Sequence, residues 1–159
     1  MNSMFGRAVE LRVPSRPEYV AIVRALVTDI ARRTSLPASA VEDVQVAASE
    51  ACTNVVRHAY SDPDRGSAEI LVRCITTHGR LIIEVADSGC GFTNPIAPAY
   101  DLDRDGGLGL LLMHHLMDKV SLDSTPERGT TVRMVKNAGA SKPHKPRESE
   151  TKLKVPVPL

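Results

Sequence analysis

Residues 41–60, VEDVQVAASEACTNVVRHAY, carry two stripes of side chains at helical spacing. A broad apolar stripe predicts a helix that packs on a core, and it consists of Val44, Ala47, Ala48, Ala51 and Val55. Glu50, Asn54 and His58 are four residues apart, so a helix places them on one face. A carboxylate can accept a proton, and a carboxamide oxygen can bind a hard cation such as Mg²⁺. The polar stripe is therefore either an ordinary solvated face or one wall of a site.

The rest of the pattern predicts strands and helices in a definite order. Strands are predicted at 8–13, 68–75, 81–86, 120–122 and 130–135. Further helices are predicted at 18–33 and from the glycine-rich run 106–109 to about 118. His78 and Gly79 form a hairpin turn between two strands, and residues 92–105 are a loop without a period. This order predicts an α/β (α+β) two-layer sandwich with a mixed, mostly antiparallel sheet and helices on one face.

Composition limits the possible classes of protein. The chain has 159 residues, of which 42 % are hydrophobic and 25 % charged, as expected for one globular domain. We assign residues 1–136 to that domain and 137–159, rich in Lys, Arg and Pro, to a disordered tail. A net charge of +1 and 3 % aromatic residues argue against direct nucleic-acid binding. The sequence has no apolar run long enough to span a membrane and no signal peptide, so we expect a cytoplasmic protein.

The three cysteines support this expectation. Cys52, Cys74 and Cys90 are scattered and lack metal-ligand spacing, which fits a reducing compartment. Cys52 and Cys74 are expected in the core, and Cys90 is interpreted as a small residue within a glycine-rich turn.

Two glycine-rich stretches follow the polar helix. Asp87-Ser88-Gly89-Cys90-Gly91 comes directly after a predicted strand, where a carboxylate could accept a hydrogen bond from an exocyclic amine. Gly106-Gly107-Leu108-Gly109 opens a helix, where free N–H groups and the helix dipole favour an anion. Each stretch alone is equally typical of a simple turn. Their order is more specific: polar helix, Asp-x-Gly-x-Gly, loop, Gly-x-Gly, and Gly129-Thr130-Thr131 in a last strand.

With its motifs in this order, the chain resembles the anti-sigma-factor serine/threonine kinases. These are small members of the GHKL group of ATP-binding proteins, which also includes histidine kinases, type II topoisomerases and Hsp90 chaperones. The resemblance extends from about residue 10 to 136 and is densest in SEACTNVVRHAY, VADSGCGF, GGLGLLLMHHLMDKV and GTTVRM. It implies the ATP-binding fold of that group.

The resemblance also implies a role for each matching residue. Glu50 is the general base toward the acceptor serine, Asn54 holds Mg²⁺ against the phosphates of ATP, and His58 lines the nucleotide pocket. Asp87 binds the adenine amino group. The other residues implied to contact the nucleotide are Gly89, Gly91, Gly106, Gly107, Leu108, Gly109 and Thr130.

The implied function is that of an anti-sigma regulatory factor. It would sequester a sigma factor, phosphorylate a serine or threonine of an antagonist (anti-anti-sigma) protein, and form a homodimer through the first strand and helix. The loop 92–105, where the ATP lid of the family lies, is shorter than usual and offers Arg104 as its one basic residue to the γ-phosphate. The short lid keeps an alternative open, an ATP-responsive sigma-binding module with little or no kinase activity. The intact Glu50 favours the enzyme.

Overall fold

The described part of the chain, residues 7–60, 66–91, 107–126 and 128–139 of a computed structural model, contains five strands and three α-helices. The strands are β1 (Arg7–Pro14), β2 (Glu69–Thr77), β3 (Arg80–Ala86), β4 (Lys119–Thr125) and β5 (Gly129–Asn137). The helices are α1 (Pro17–Arg32), α2 (Ala38–Asn54) and α3 (Gly107–Leu116), and a π-helical turn, Val55–Ala59, continues α2. The predicted order of elements is confirmed.

The five strands form one sheet in the order β1-β2-β3-β5-β4. The prediction of a mixed, mostly antiparallel sheet is refined, because every pairing among the described strands is antiparallel. The hairpin between β2 and β3 turns at Gly79, whose φ of 68° is accessible to glycine without steric cost. Because Ala86 at the end of β3 pairs with Thr131 in β5, Asp87 lies directly beside the start of β5.

The helices cover one face of the sheet, and the core lies between the two layers. The apolar stripe predicted for α2 is buried throughout, with no member more than 6 % exposed. Alternate residues of the strands face it and are buried as well, among them Val72, Ile83 and Met134. Burial of such a side chain contributes roughly 1.5–3 kcal/mol, so this packing holds α2 firmly against the sheet. The expected core cysteines, Cys52 and Cys74, are both buried.

The opposite face of the sheet carries a row of four charges of alternating sign. Glu10, Arg73, Glu84 and Arg133 are direct neighbours across β1, β2, β3 and β5. Arg73 contacts Glu10 at 3.0 Å and Glu84 at 3.5 Å, and Glu84 also pairs with Arg133. Cross-strand pairs of this kind stabilise a sheet modestly. The paired charges allow this face of the sheet to lie in solvent.

The helix that contains residues 41–60, and that Pro37 or Ser39 is predicted to open, differs from prediction only at its C-terminal end. It begins at Ala38 after Pro37, which has extended backbone dihedrals at the N-cap and makes no side-chain capping bond. At the other end, Val55–Ala59 forms a π-helical turn. A π turn closes with i→i+5 rather than i→i+4 hydrogen bonds, so His58 no longer lies directly in line with Glu50 and Asn54.

Some predictions fall outside the described residues. These are residues 61–65 of the turn that the run Ser61-Asp62-Pro63-Asp64-Arg65-Gly66 predicts, the lid 92–105 with Arg104, Gly106, and the tail from residue 140 onward. β5 continues to Asn137, one residue beyond the predicted domain boundary after 136. Among the described helices, none has both the length and the apolar character needed to cross a membrane.

Candidate functional site

The C-terminal half of α2 faces the first turn of α3. A methyl group placed on Gly109 would lie 3.0 Å from Glu50 Oε2 and 3.4 Å from Asn54 Oδ1. The carboxylate and the carboxamide predicted as a pair therefore converge at the N-terminus of α3. The first N–H groups of a helix lack partners within it, and the helix dipole places partial positive charge there. The structure thus brings together a potential base, a potential cation ligand and an anion-binding helix terminus.

At the other end of the site, Asp87 leaves β3 and enters a network of backbone contacts. Its N–H donates to Thr130 O at 2.9 Å, and its Oδ1 accepts the N–H of Gly89 at 2.9 Å and of Thr130 at 3.3 Å. Asp87 is only 9 % exposed. Burial raises the pKa of this carboxyl, and the two backbone N–H groups act in the opposite direction.

The second carboxylate oxygen of Asp87 is the one available to a ligand. Within the described part of the chain no donor contacts Oδ2, and every fully buried side-chain oxygen or nitrogen there has a partner. It follows that Oδ2 is not completely buried. A buried, oriented carboxylate with one free oxygen is suited to accept hydrogen bonds from an amino group.

Two glycines allow this network to close. Gly129 has φ of 80°, and a methyl group on it would lie 2.1 Å from the carbonyl oxygen of Asp87. A methyl group on Gly89 would lie 1.9 Å from the carbonyl oxygen of Ala59 in the π turn, beside the hydrogen bond from Cys90 N to that oxygen at 2.8 Å. Only glycine permits backbone segments to approach this closely. Gly91 sits similarly against Thr125 O.

Two polar residues of the site were not predicted from the sequence. The Ser124 hydroxyl lies 2.8 Å from the Thr130 hydroxyl, and Ser124 is buried. The Tyr60 hydroxyl accepts the N–H of Ser88 at 3.0 Å and donates to Glu69 O at 2.7 Å, which ties the Asp87 turn to β2. Alternation in β4 could have revealed Ser124, because Val120 and Leu122 share its face; no local signal marks Tyr60.

The other predicted site residues are placed as follows. His58 is half-buried in the π turn, with its carbonyl oxygen 3.6 Å from Cys90 Sγ. Gly107 is the first residue of α3, and Leu108 is 68 % exposed beside it. Arg104 and Gly106 lie outside the described residues. In the described part of the chain no three His, Cys, Asp or Glu side chains form a metal-binding cluster.

Two cavities accompany these elements. One of about 470 Å³ lies under the Asp87 turn and is lined by Tyr60, Glu69, Ser88 and Cys90. A wider groove of about 550 Å³ lies where β1 begins and α1 ends, and it contains none of the predicted site residues. The volume of this groove therefore gives no support to the predicted site, which includes Glu50 and Asp87.

Comparison with known proteins agrees with this geometry. Residues 13–136 match the sequence model of the histidine kinase-like ATPase domain. The serine-protein kinase RsbW of Bacillus velezensis is 41 % identical over 138 residues, which cover 80 % of this chain and 84 % of that protein. RsbW of Bacillus subtilis is 38 % identical with the same coverage. The chain belongs to the histidine kinase-like ATPase family. Within that family its resemblance to the serine kinases is confirmed, and with it the predicted enzyme class, a protein serine/threonine kinase that uses ATP.

Solved structures confirm the fold. The RsbU and RsbW domains of Rv1364c from Mycobacterium tuberculosis align with a TM-score of 0.62 at 19 % identity, covering 82 % of this chain and 32 % of that one. The histidine kinase domain of the Erythrobacter litoralis EL346 blue-light-activated kinase aligns with a TM-score of 0.53 at 21 % identity, covering 79 % and 62 %. At this level of identity the alignments bear on the fold alone.

Proposed function

We propose that this histidine kinase-like ATPase is a cytoplasmic anti-sigma factor that binds Mg-ATP, sequesters a sigma factor and phosphorylates a serine or threonine of an antagonist protein. The observation that carries the proposal is the convergence of Glu50 and Asn54 on the first turn of α3, at 3.0 and 3.4 Å from the Gly109 methyl position. A base and a cation ligand beside an anion-binding helix terminus are the parts that phosphoryl transfer requires.

The described residues fit a bound nucleotide at two separate points. Asp87 Oδ2 would accept the adenine amino group, while its Oδ1 remains held by the Gly89 and Thr130 N–H groups. The N-terminus of α3 would bind the phosphates through its free N–H groups. When bound, Mg-ATP supplies the phosphoryl group and a cation that offsets its negative charge.

Glu50 would act on the acceptor hydroxyl, and Asn54 on the cation bound to the phosphates of ATP. Asn54 would offer Oδ1 to the cation that accompanies the phosphates. Glu50, half-buried beside it, would accept the proton of the acceptor hydroxyl, a role that typically contributes a factor of about 10²–10⁴ in rate. Their separation by one helical turn keeps the two functions adjacent but on distinct side chains.

The proposal includes a homodimer formed through β1 and α1. Exposed apolar side chains on these elements support it: Val9 is 44 % exposed on β1 and Ile22 is 51 % exposed on α1. In α1, Val23 and Val27 face the core, and Ile22 lies outside it. A second copy of the chain would cover these side chains.

Ligand-induced stabilisation and phosphoryl transfer, measured on the same variants, test the proposal. Mg-ATP at about 100 times its Kd should stabilise the unsubstituted protein by roughly 2.7 kcal/mol, visible as a thermal shift. Asn54→Ala should lose most of that shift. Glu50→Ala should keep it but lose transfer to the antagonist protein by at least about 100-fold. Glu42→Ala, which removes an exposed glutamate of the same helix, is the matched control and should change neither.

Two results would contradict these assignments. Unchanged transfer by Glu50→Ala would mean that another group is the base. A thermal shift by Mg-ATP without any transfer, in the unsubstituted protein, would leave the ATP-responsive binding module as the better description.

A further inference from the structure

Lys136 is a buried charge that the proposed chemistry does not use. It lies in β5 on the side that faces the helices and is 9 % exposed. Its Nζ donates to Asp43 Oδ2 at 2.8 Å and to the backbone carbonyl of Leu116 at 2.5 Å. A lysine is almost never buried unless it is paired, because removing the ammonium group from water is costly. Its two partners show what the charge connects.

The two partners belong to the two helices that form the phosphate end of the site. Asp43 lies in the second turn of α2, and Leu116 is the last residue of α3. The ammonium group thus joins α2 to the C-terminal end of α3, where the helix dipole is negative and the last carbonyl oxygens lack helical partners. We refer to Asp43, Lys136 and the Leu116 carbonyl as the α2–α3 clamp.

The clamp and the site are equally far apart along both helices. From Asp43 to Glu50 is seven residues of α2, and from Leu116 back to Gly109 is seven residues of α3. At 1.5 Å per residue each distance is about 10.5 Å, so the two helices run antiparallel with the clamp at one end and the Glu50–Gly109 approach at the other. An axial shift of α3 at the clamp is transmitted without change to its first turn, because a two-turn helix segment is stiff.

We propose that Lys136 is a positioning residue for the terminal phosphate of ATP. It fixes how far α3 extends along α2, and so sets where the free N–H groups of the first turn of α3 lie relative to Glu50 and Asn54. This inference rests on the proposed function, because it assigns the α3 N-terminus to phosphate. It predicts that loss of the clamp impairs recognition of the last phosphate far more than recognition of the rest of the nucleotide.

Lys136→Met tests this, since methionine keeps an unbranched apolar stem and removes the charge. Titration calorimetry would give Kd for Mg-ADP and for the β,γ-imido analogue of ATP, both with Mg²⁺. We expect the ratio of the analogue Kd to the ADP Kd to rise about tenfold or more, the loss that accompanies one hydrogen bond to a charged group. Asp43→Asn, which keeps an acceptor oxygen but not its charge, should raise the ratio by a smaller factor.

Val72→Ala is the matched control for loss of stability alone. Val72 is a fully buried residue of β2, outside the clamp, so its truncation lowers stability without loosening the end of α3. Its Kd ratio should stay within about twofold of the unsubstituted value. Amide hydrogen exchange on the nucleotide-free proteins gives an independent measurement, in which residues 107–116 should exchange faster in Lys136→Met than in Val72→Ala.

The outcomes separate this inference from the proposed function. If Lys136→Met weakens both ligands equally, or behaves like Val72→Ala in both measurements, Lys136 stabilises the fold and positions nothing. If the unsubstituted protein binds neither ligand, the proposed nucleotide site is refuted, and with it the phosphate role of the clamp. Unchanged exchange of residues 107–116 in Lys136→Met would refute the clamp itself, whatever the ligands do.

Discussion

Replacement of Asp87 by asparagine separates what this carboxylate does for a ligand from what it does for the fold. The asparagine side chain would keep an oxygen in the place of Oδ1, so the N–H groups of Gly89 and Thr130 would retain their acceptor. The accessible Oδ2 would become an amide NH₂, which donates instead of accepting. A hydrogen bond to a charged group is worth about 1.5–3 kcal/mol, so Kd for ADP should rise by about 10- to 150-fold.

The same substitution should weaken ligand binding but increase the stability of the fold. Burial raises the pKa of Asp87 above its ordinary value of 3.8, so the folded protein holds this proton more tightly than the unfolded chain does. As pH rises through the interval from 3.8 to the raised pKa, the unfolded chain releases its proton first, and the Asp87 contribution to the free energy of unfolding falls. Asparagine does not titrate. Asp87→Asn should therefore gain stability relative to the unsubstituted protein across that interval and keep the gain at higher pH.

Two measurements check this reasoning. Calorimetry with ADP and with inosine diphosphate should show that the preference for ADP collapses, because the base of inosine diphosphate presents a carbonyl oxygen to which the new NH₂ can donate. Urea unfolding of the nucleotide-free proteins at pH 4 and pH 7 should show the variant at least as stable at pH 7, with a larger advantage there than at pH 4. An Asp87→Asn variant that bound ADP normally, or that was much less stable at pH 7, would refute the assignment of Oδ2 to the ligand or of Oδ1 to the fold.

The backbone contacts and the thiols lead to two further predictions. Gly129→Ala should lower the free energy of unfolding, measured by urea denaturation, by at least about 2 kcal/mol. Alanine is strained at φ of 80°, and its methyl group would lie 2.1 Å from the Asp87 carbonyl oxygen. An unchanged urea midpoint would contradict this prediction. Burial raises the pKa of Cys52 to about 12 and of Cys74 to about 11, so at pH 8 a disulfide reagent should modify one thiol per native chain, the exposed Cys90, and three after unfolding.

The sequence contained enough information for the fold and for the polar pair at its centre. Apolar spacing in residues 41–55 identifies the buried stripe of α2, since burial against a sheet requires one continuous apolar face. The same periodicity places Glu50 and Asn54 together, and the structure confirms that both face α3. Gly79 was identifiable as a turn residue because glycine adopts a positive φ without steric cost, and its φ is 68°.

What the sequence could not reveal depends on contacts between distant segments. The π turn at Val55–Ala59 has no local cause in its residues; Gly89 and Cys90, about thirty residues later, pack against the Ala59 carbonyl that ends it. Tyr60 is likewise defined by partners in β2 and after β3. Such positions follow from the register of the sheet, which periodicity alone does not supply.

The two ends of the site are held by different kinds of interaction, so one end is rigid and the other can adjust. At the Asp87 end, backbone meets backbone at Gly89 and Gly129, so a shift there must move whole strands. At the end formed by α3, a methyl group on Gly109 would meet only the tips of the Glu50 and Asn54 side chains, which can change rotamer. A rigid adenine site and an adjustable phosphate site are what an enzyme needs if it must hold the same base while its terminal phosphate is present or absent. In such an arrangement, precision at the phosphate end has to come from the position of α3, which is the quantity that Lys136 controls.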